Sequence, residues 1–237
     1  MHILRELARA GTGLALIGTV WSCTPAVPPD DAPPLAALET IDSPAGPASG
    51  EPNLAVDATG RVHMSWLQKT GDSTFALRYA VRDGDRWSDP VNITERADLF
   101  VNWADFPSIH VAPSGRVVAH WLQRSAAGKY SYDVVIRQST DDGATWSEPR
   151  TLNTDGLAAE HGFASLFDAG GDSVEAVWLD GRNTVGGHGE HGTRGAMTLA
   201  NARIAADGGV STNVILDARI CECCQTSAVR TSRGPVV

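Results

Sequence analysis

The sequence lacks the features of a helical, a membrane-spanning or a nucleic-acid-binding protein. After residue 23 no segment keeps an apolar period of 3.6 residues, so the chain is not built from amphipathic helices. Its one apolar run, Gly11 to Val20, is too short to cross a bilayer as a helix. Positive charge is also scarce, and the net charge of −9 argues against nucleic acid or an anionic membrane surface as a partner.

Aromatic residues are few, at 6% of the 237 residues, but seven of them are tryptophans, and most of these fall in repeated positions. The segment 59–68 recurs as 114–123 and again as 171–180, and each copy ends in Trp-Leu followed by Gln or Asp. A short strand is predicted before each copy and another β-rich stretch follows it, so each repeat predicts four strands. The sequence therefore predicts an all-β propeller with blades of about 50 to 60 residues.

A turn is predicted after the third strand of the second repeat, at 139–146, with the sequence Ser-Thr-Asp-Asp-Gly-Ala-Thr-Trp. Asp-Asp-Gly supplies side chains that bond their own backbone and a residue that accepts positive φ, as a hairpin turn requires. Trp146 then opens the returning strand and can fold its ring into the core. The pattern Ser-x-Asp-x-Gly-x-x-Trp resembles the Asp-box, the repeat of bacterial neuraminidase (BNR) type in sialidase-like β-propellers. That resemblance implies a ring of six blades.

The repeats and the composition divide the chain into predicted segments. Residues 1–23 are predicted to be a lipoprotein signal peptide, and the proline-rich residues 24–50 a disordered tether. Residues 51–237 are predicted to form part of the propeller. Its blades are expected at about 51–104, 105–159 and 160–220, with the start of a fourth at 221–237, so we expect the N-terminal half of the ring.

The N-terminus carries the pattern of an export signal. Arg5 and Arg9 precede the apolar run, and residues 20–23, Val-Trp-Ser-Cys, resemble a bacterial lipobox. We therefore expect an exported lipoprotein of the periplasm or cell surface, anchored to a membrane through a lipid on Cys23. Ordinary signal-peptide cleavage is the alternative, because Trp21 is an unusual residue in a lipobox.

Candidate functional residues lie where a propeller binds its ligands, at one end of the axial channel, which we call the mouth. Loops that lead into the innermost strands line the mouth, together with loops that join the second and third strands. The first kind of loop carries residues 102–105, 160–162 and 221–224. Because polar and titratable residues recur at equivalent points of successive repeats, we expect them to converge on the mouth.

Two carboxyl groups at the mouth, Asp105 and Glu160, are the candidate catalytic residues, for acid and base chemistry on a glycan. Trp103, His161 and Arg182 are the candidates for substrate binding. The alternative is structural: the carboxyl groups would cap turns, His161 would bond a backbone carbonyl, and Arg182 would pair with a nearby aspartate.

Three of the four cysteines fall in one short cluster, Cys221, Cys223 and Cys224. Thiols of an exported protein are not expected to stay free, but adjacent cysteines rarely reach disulfide geometry. A cysteine of the cluster could pair elsewhere, which would leave two thiols. Alternatively, the three could hold a soft metal, copper(I) or zinc, with His161 as a further ligand. The sequence leaves both possibilities open.

Residues 51–237 also resemble a group of predicted bacterial lipoproteins that carry the motifs found here at 102–107, 160–163 and 221–224. Sialidases themselves hold the substrate carboxylate with three arginines, use a tyrosine–glutamate pair as nucleophile and an aspartate as acid and base. Their first arginine lies in an Arg-Ile-Pro motif, where this chain has Gly50-Glu51-Pro52. Two function classes follow: a glycan-active hydrolase of exo-sialidase type, or a non-catalytic lipoprotein that binds a metal or other ligand through the cysteine cluster and His161.

Overall fold

A computed structural model describes residues 39–184 and 195–237, and these residues form strands and turns. The expected signal peptide and its lipidation site at Cys23 lie outside the described residues. The strands are β1 (Ser49–Val56), β2 (Val62–Lys69), β3 (Phe75–Asp83), β4 (Arg86–Trp87), β5 (Val91–Arg96), β6 (Ser108–Val111), β7 (Val117–Arg124), β8 (Tyr132–Ser139), β9 (Arg150–Thr151), β10 (His161–Gly170), β11 (Ser173–Asp180), β12 (Thr198–Ile204), β13 (Val214–Asp217), β14 (Val229–Thr231) and β15 (Gly234–Val236). Within this described part, no helix is long and apolar enough to cross a membrane.

The strands form successive antiparallel meanders, as the repeat predicts. Blade 1 contains β1 to β5, blade 2 contains β6 to β9, and blade 3 contains β10 to β13, while β14 pairs with β15. In blade 1 both β4 and β5 pair with β3, so they form one interrupted outer strand. The first strands of consecutive blades lie beside one another, β1 next to β6, β6 next to β10, and β10 next to β14. The predicted all-β propeller architecture is confirmed.

The repeated tryptophans lie in the second strands and are buried in the blade-to-blade packing. Trp121 packs with Leu77 and Ile93 of blade 1, and Trp178 packs with Val134 and other residues of blade 2. Flat antiparallel sheets with apolar residues on both faces bury those faces only by stacking on neighbouring sheets. The repeat of Trp-Leu on each second strand therefore reflects the contact between blades.

The turn at 139–146 is fixed by its own side chains. Ser139 Oγ accepts the Gly143 N–H at 2.9 Å, and Asp141 Oδ1 accepts the Thr145 N–H at 2.9 Å. The Trp146 ring meets Tyr79 of blade 1 edge-on, with ring centroids 5.6 Å apart, so it does fold toward the core. The returning strand β9 begins later than Trp146, at Arg150.

The ordered fold begins earlier than the predicted boundary at Glu51. Strand β1 starts at Ser49, and the Lys69 N–H donates to the Ala48 carbonyl at 3.0 Å. Trp87 Nε1 donates to the Asp42 carbonyl at 2.9 Å, so the segment before β1 is held against the outer edge of blade 1. Proline content suggested a tether here, but hydrogen bonds from the Lys69 backbone and the Trp87 side chain of blade 1 outweigh that local preference.

Candidate functional site

Asp105 occupies a position that glycine holds in the next blade. In blade 2, Ser108 pairs with the residue before the repeated Trp121, and in blade 3, Ser165 pairs with the residue before the equivalent Trp178. Asp105 and Gly162 each precede these equivalent serines by the same number of residues. The loops of blades 2 and 3 therefore place Asp105 and Gly162 at corresponding points, on the approach to the innermost strand.

The absence of a side chain at Gly162 lets the carboxyl group of Asp105 approach the backbone of blade 3. A Cβ on Gly162 would clash with Asp105 Oδ2. Asp105 Oδ1 accepts the Phe163 N–H at 2.7 Å, and Phe163 has a φ of 51°, in the left-handed region that non-glycine residues seldom adopt. Asp105 therefore holds a strained segment of the neighbouring blade in place.

The Asp105 side chain is almost completely buried, with 1% of its surface exposed. Burial raises the pKa of Asp105 to about 7, and the negative charge of Glu160 adds to this rise, against the hydrogen bond from Phe163. Among the described residues, Asp105 Oδ2 has no hydrogen-bond partner within bonding distance. Tyr132 lies close enough to lower this pKa slightly, but its hydroxyl donates to Glu160 instead. Asp105 is thus a carboxylic acid that can hold a proton near neutral pH.

Tyr132 joins the two candidate carboxyl groups. Its hydroxyl donates to Glu160 Oε1 at 2.8 Å, and its ring stacks on Phe100 with centroids 4.0 Å apart and planes 14° apart. Burial, followed by the charges of Asp105 and Glu160, raises the pKa of Tyr132 far above its usual range, so it remains a hydrogen-bond donor. Tyr132 was not predicted as a site residue. It is the first residue of a third strand, and nothing in the sequence around it indicates a contact with Glu160.

His161 lies in a second group of charged residues beside the first. Its Nε2 lies 3.0 Å from Asp155 Oδ2, and its Nδ1 lies 3.2 Å from the Tyr132 carbonyl and 3.5 Å from Asp133 Oδ1. Burial lowers the pKa of His161, but the hydrogen bond to Asp133 and the carboxylates of Asp180 and Asp155 outweigh burial, and the pKa is raised. Both ring nitrogens face acceptors, which favours the protonated form of the ring.

Arg182 lies at the solvent-facing edge of this second group and contacts its carboxylates. Its Nε and Nη2 bind Asp180 Oδ1 and Oδ2 at 2.7 Å each, and its Nε lies 3.8 Å from Asp155 Oδ2. Trp178 Nε1 also donates to Asp180 Oδ2, at 3.0 Å. Asp155, His161 and Asp180 lie close enough together to hold a metal ion. The carboxylates of Asp155 and Asp180 already face the His161 ring and the Arg182 guanidinium, however, so the arrangement is that of a polar network whose members satisfy one another.

Trp103 is the most exposed aromatic side chain at the mouth, with 85% of its surface accessible. The loop that carries it turns at Asn102, whose Oδ1 accepts the Ala104 N–H at 2.9 Å. Trp103 precedes Asp105 by two residues, as Glu160 precedes Gly162. The two loops therefore present an exposed aromatic ring and a carboxylate at corresponding points.

The three thiols form a group of their own, in the loop before β14. Cys221 Sγ lies 3.1 Å from Cys224 Sγ and 3.5 Å from Cys223 Sγ, and all three residues are exposed. His161, which the sequence offered as a further ligand, belongs to the group with Asp155 and Asp180 and not to the cysteine group. The structure thus brings Asp105 and Glu160 together through Tyr132, connects His161 with Arg182, and leaves Trp103 and the thiols separate.

No protein-family model and no curated protein matches the chain. Among solved structures, the chain is similar to the Hadza microbial sialidase Hz136, at 19% identity and a TM-score of 0.44, over 77% of this chain and 37% of that one. It is also similar to an α-L-arabinanase of Penicillium chrysogenum, complexed with arabinobiose, at 16% identity and a TM-score of 0.45, over 76% of this chain and 52% of that one. A GH93 α-L-arabinofuranosidase of Fusarium graminearum matches at 9% identity and a TM-score of 0.34, over 79% of this chain and 72% of that one. The chain thus spans about a third to a half of the length of the first two, and each likeness concerns the fold alone.

Proposed function

We propose that the protein is an exported, lipid-anchored glycoside hydrolase that binds a glycan at the mouth and uses Asp105 and Glu160 as its two carboxyl groups. One observation carries this proposal: the carboxyl groups of Asp105 and Glu160, from consecutive blades, both lie beside Tyr132, whose hydroxyl donates to Glu160, and the environment of Asp105 raises its pKa to about 7. Hydrolases that cleave glycosidic bonds need one carboxyl group that keeps its proton and a second that works as a carboxylate.

Asp105 is the proton donor in this proposal. It holds its proton near neutral pH and can deliver it to the oxygen of the leaving group. Glu160 is the partner carboxylate, and the hydroxyl of Tyr132 fixes its orientation from 2.8 Å away. The negative charge of Glu160 in turn helps to keep Asp105 protonated.

The glycan would be held at the rim by Trp103 and Arg182. An exposed indole ring offers an apolar face on which a sugar ring can stack, and Arg182 presents a cation that is already oriented by Asp180. Asp105 and Glu160 are only 1% and 7% exposed. Both carboxyl groups would therefore have to become accessible when a glycan binds.

The test compares two Glu→Gln variants of the full chain on a panel of fluorogenic glycosides, sialosides included. Glu160→Gln removes the carboxylate but keeps an acceptor for Tyr132, and we expect kcat to fall by about 100- to 10,000-fold. Glu95→Gln is the matched control, because Glu95 is exposed on the outer strand of blade 1 and contacts Asn92. The control should retain full activity, and thermal unfolding should show that both variants fold.

Two results would contradict hydrolysis. The first is an absence of turnover on every glycoside, and the second is unchanged kcat in Glu160→Gln. If the chain still bound glycans on an array and Trp103→Ala abolished that binding, the protein would be a glycan-binding protein without hydrolase activity. Trp103→Ala is expected to raise KM more than it lowers kcat, because the ring contacts the bound sugar and not the reacting bond.

A further inference from the structure

The three thiols before β14 are the most concentrated set of soft ligand atoms in the described part of the chain. We propose that Cys221, Cys223 and Cys224 bind one copper(I) ion as three thiolates. This site does not depend on the hydrolase proposal, since none of its ligands belongs to the Asp105–Tyr132–Glu160 group.

The distances between the sulfur atoms fit a three-coordinate ion. Metal–sulfur bonds of about 2.3 Å in a trigonal plane require sulfur atoms about 4.0 Å apart. Here the Cys221 Sγ atom lies 3.1 Å and 3.5 Å from the other two, and all three sulfur atoms lie within 4.8 Å of one another. Side-chain rotations that move each sulfur by less than about 1 Å would therefore complete the ligand set.

The backbone brings these thiols together in a way that an extended strand does not. In a strand, side chains alternate between faces, so the side chains of Cys221 and Cys224 would point in opposite directions. In the structure their sulfur atoms form the shortest contact of the three, at 3.1 Å. The loop therefore bends so that its side chains face a common point.

Both ends of the cysteine loop are anchored to blade 3. The Ile220 N–H donates to the Met197 carbonyl at 2.9 Å, and Ile220 packs against the apolar group of Phe163 and Met197. On the other side, Thr226 Oγ1 donates to the Phe163 carbonyl at 2.5 Å. Because only five residues, 221–225, lie between these two anchor points, little conformational entropy remains to be lost when the thiols close on an ion.

The ligand set favours copper(I) over zinc. Thiolates are soft ligands that select copper(I), and this ion accepts three of them, whereas structural zinc sites are almost always four-coordinate. In the part of the chain that the structure describes, the metal-binding group at this loop contains the three cysteines and no histidine or carboxylate. All three cysteines are exposed, so an ion can enter and leave from solvent.

A disulfide is the competing fate of the cluster. Cys221 and Cys224 are the pair with the shortest separation, and their oxidation would leave Cys223 as a single thiol. Three thiols cannot all be used by disulfides within the cluster, whereas one trigonal ion uses all three. The experiment must therefore begin from reduced protein and exclude oxygen.

The test is an anaerobic titration of the reduced full chain with copper(I), in competition with bathocuproine disulfonate, followed by metal analysis. We expect one copper per chain. Loss of a residue that merely supports a metal ligand weakens metal binding by roughly 10- to 100-fold. Each of the variants Cys221→Ser, Cys223→Ser and Cys224→Ser removes a ligand itself, so each should weaken copper(I) binding by at least that factor. Cys23→Ser is the matched control, since it removes the one cysteine outside the cluster and should leave the stoichiometry and affinity unchanged.

Circular dichroism of each variant shows whether it folds, and the exposed loop makes unfolding unexpected. The proposal is overturned if the reduced chain takes up no copper(I) or if the Cys→Ser variants in the cluster bind as well as the unmodified chain. It is also overturned if zinc binds to the three cysteines more tightly than copper(I) in a direct competition. A Cys221–Cys224 disulfide that survives the reducing step in mass spectra would likewise replace the metal site by a covalent link.

Discussion

Asp57 and Asp105 both have side chains with little exposed surface, and both lie near a buried tyrosine, but their pKa values shift in opposite directions. Burial works against ionisation at both positions. At Asp57, hydrogen bonds from Thr59, His63 and Arg61 outweigh burial, and the pKa lies far below its usual range. At Asp105 only the Phe163 N–H and the nearby Tyr132 hydroxyl oppose burial and the charge of Glu160, and the pKa rises to about 7. The number of donors around each carboxyl group therefore decides its protonation.

The two aspartates represent opposite ends of the propeller. Asp57 lies in the turn between β1 and β2, next to the turn at 139–146, where Arg61 binds both Asp57 and Asp142. At this end carboxylates are met by arginines or hydrogen-bond donors, as the Arg116–Asp172 pair also shows. Near the mouth Asp180 is likewise paired with Arg182, but Asp105 has an oxygen without a hydrogen-bond partner, and Trp103 and the three clustered cysteines are exposed. Chemistry that needs available groups is therefore concentrated at the mouth.

The largest expected effect is a difference between the two aspartates in how each changes the free energy of unfolding with pH. Between about pH 4 and pH 7 folded Asp105 holds a proton that the unfolded chain releases, so the contribution of Asp105 to the free energy of unfolding should fall as pH rises through this window. The shift from 3.8 to about 7 corresponds to about 4 kcal/mol. Asp105→Asn keeps an acceptor for Phe163 and should remove this slope. Denaturant unfolding from pH 4.5 to 6.5 measures it as the difference between the unmodified chain and Asp105→Asn. His110 and His120, whose pKa values are lowered by burial, contribute a slope of the opposite sign that is common to both proteins and cancels in this difference.

Asp57→Asn is the matched control for that experiment. Because the pKa of Asp57 is lowered, its contribution is present at neutral pH and is lost only as the pH falls below 3.8 toward the folded value. The control should therefore be less stable than the unmodified chain throughout the measured range, with the Asp105 slope intact. An unchanged slope in Asp105→Asn would mean that Asp105 is ionised in the folded state, and would remove the main support for its role as an acid.

The next largest effect tests the packing of the turn at 139–146 against blade 1. Gly143 has a φ of 86°, and a Cβ there would lie 2.6 Å from the Tyr79 ring. Gly115 has the same φ of 86° but open space around the Cβ position. Gly143→Ala should lower the free energy of unfolding by about 3 kcal/mol, from backbone strain and overpacking together, and Gly115→Ala by about 1 kcal/mol, from strain alone. Equal losses in thermal or denaturant unfolding would show that Tyr79 yields easily and that the turn is not tightly packed.

The repeated residues made the fold predictable from the sequence. The contacts between side chains of different blades were not predictable from it. The Trp-Leu repeats indicated the second strands, and the loops before the innermost strands indicated the region that holds Asp105 and Glu160. Tyr132 could not be found in this way, because its contact with Glu160 depends on how blade 3 stacks on blade 2. Asp133 and Asp155, the partners of His161, were missed for the same reason. The pairing of Arg182 with a nearby aspartate was among the alternatives, because Asp180 is two residues away and a tight turn brings both together.

The smallest effect concerns the ion pair that joins the turn at 139–146 to blade 1. Arg61 binds Asp142 through two contacts of 2.8 Å and 3.0 Å, but their side chains are 28% and 49% exposed. Asp142→Asn keeps a residue that tolerates the φ of 53° at this position, so it removes the charge and little else. We expect the free energy of unfolding to fall by about 0.5 kcal/mol, because solvent screens exposed pairs, and the difference should vanish in 1 M salt. Asp85→Asn, at an exposed residue 3.8 Å from Arg82, should produce no measurable change. A loss of about 2 kcal/mol or more that persists in 1 M salt would show that the Arg61–Asp142 pair stabilises the fold more than a solvent-screened surface pair does.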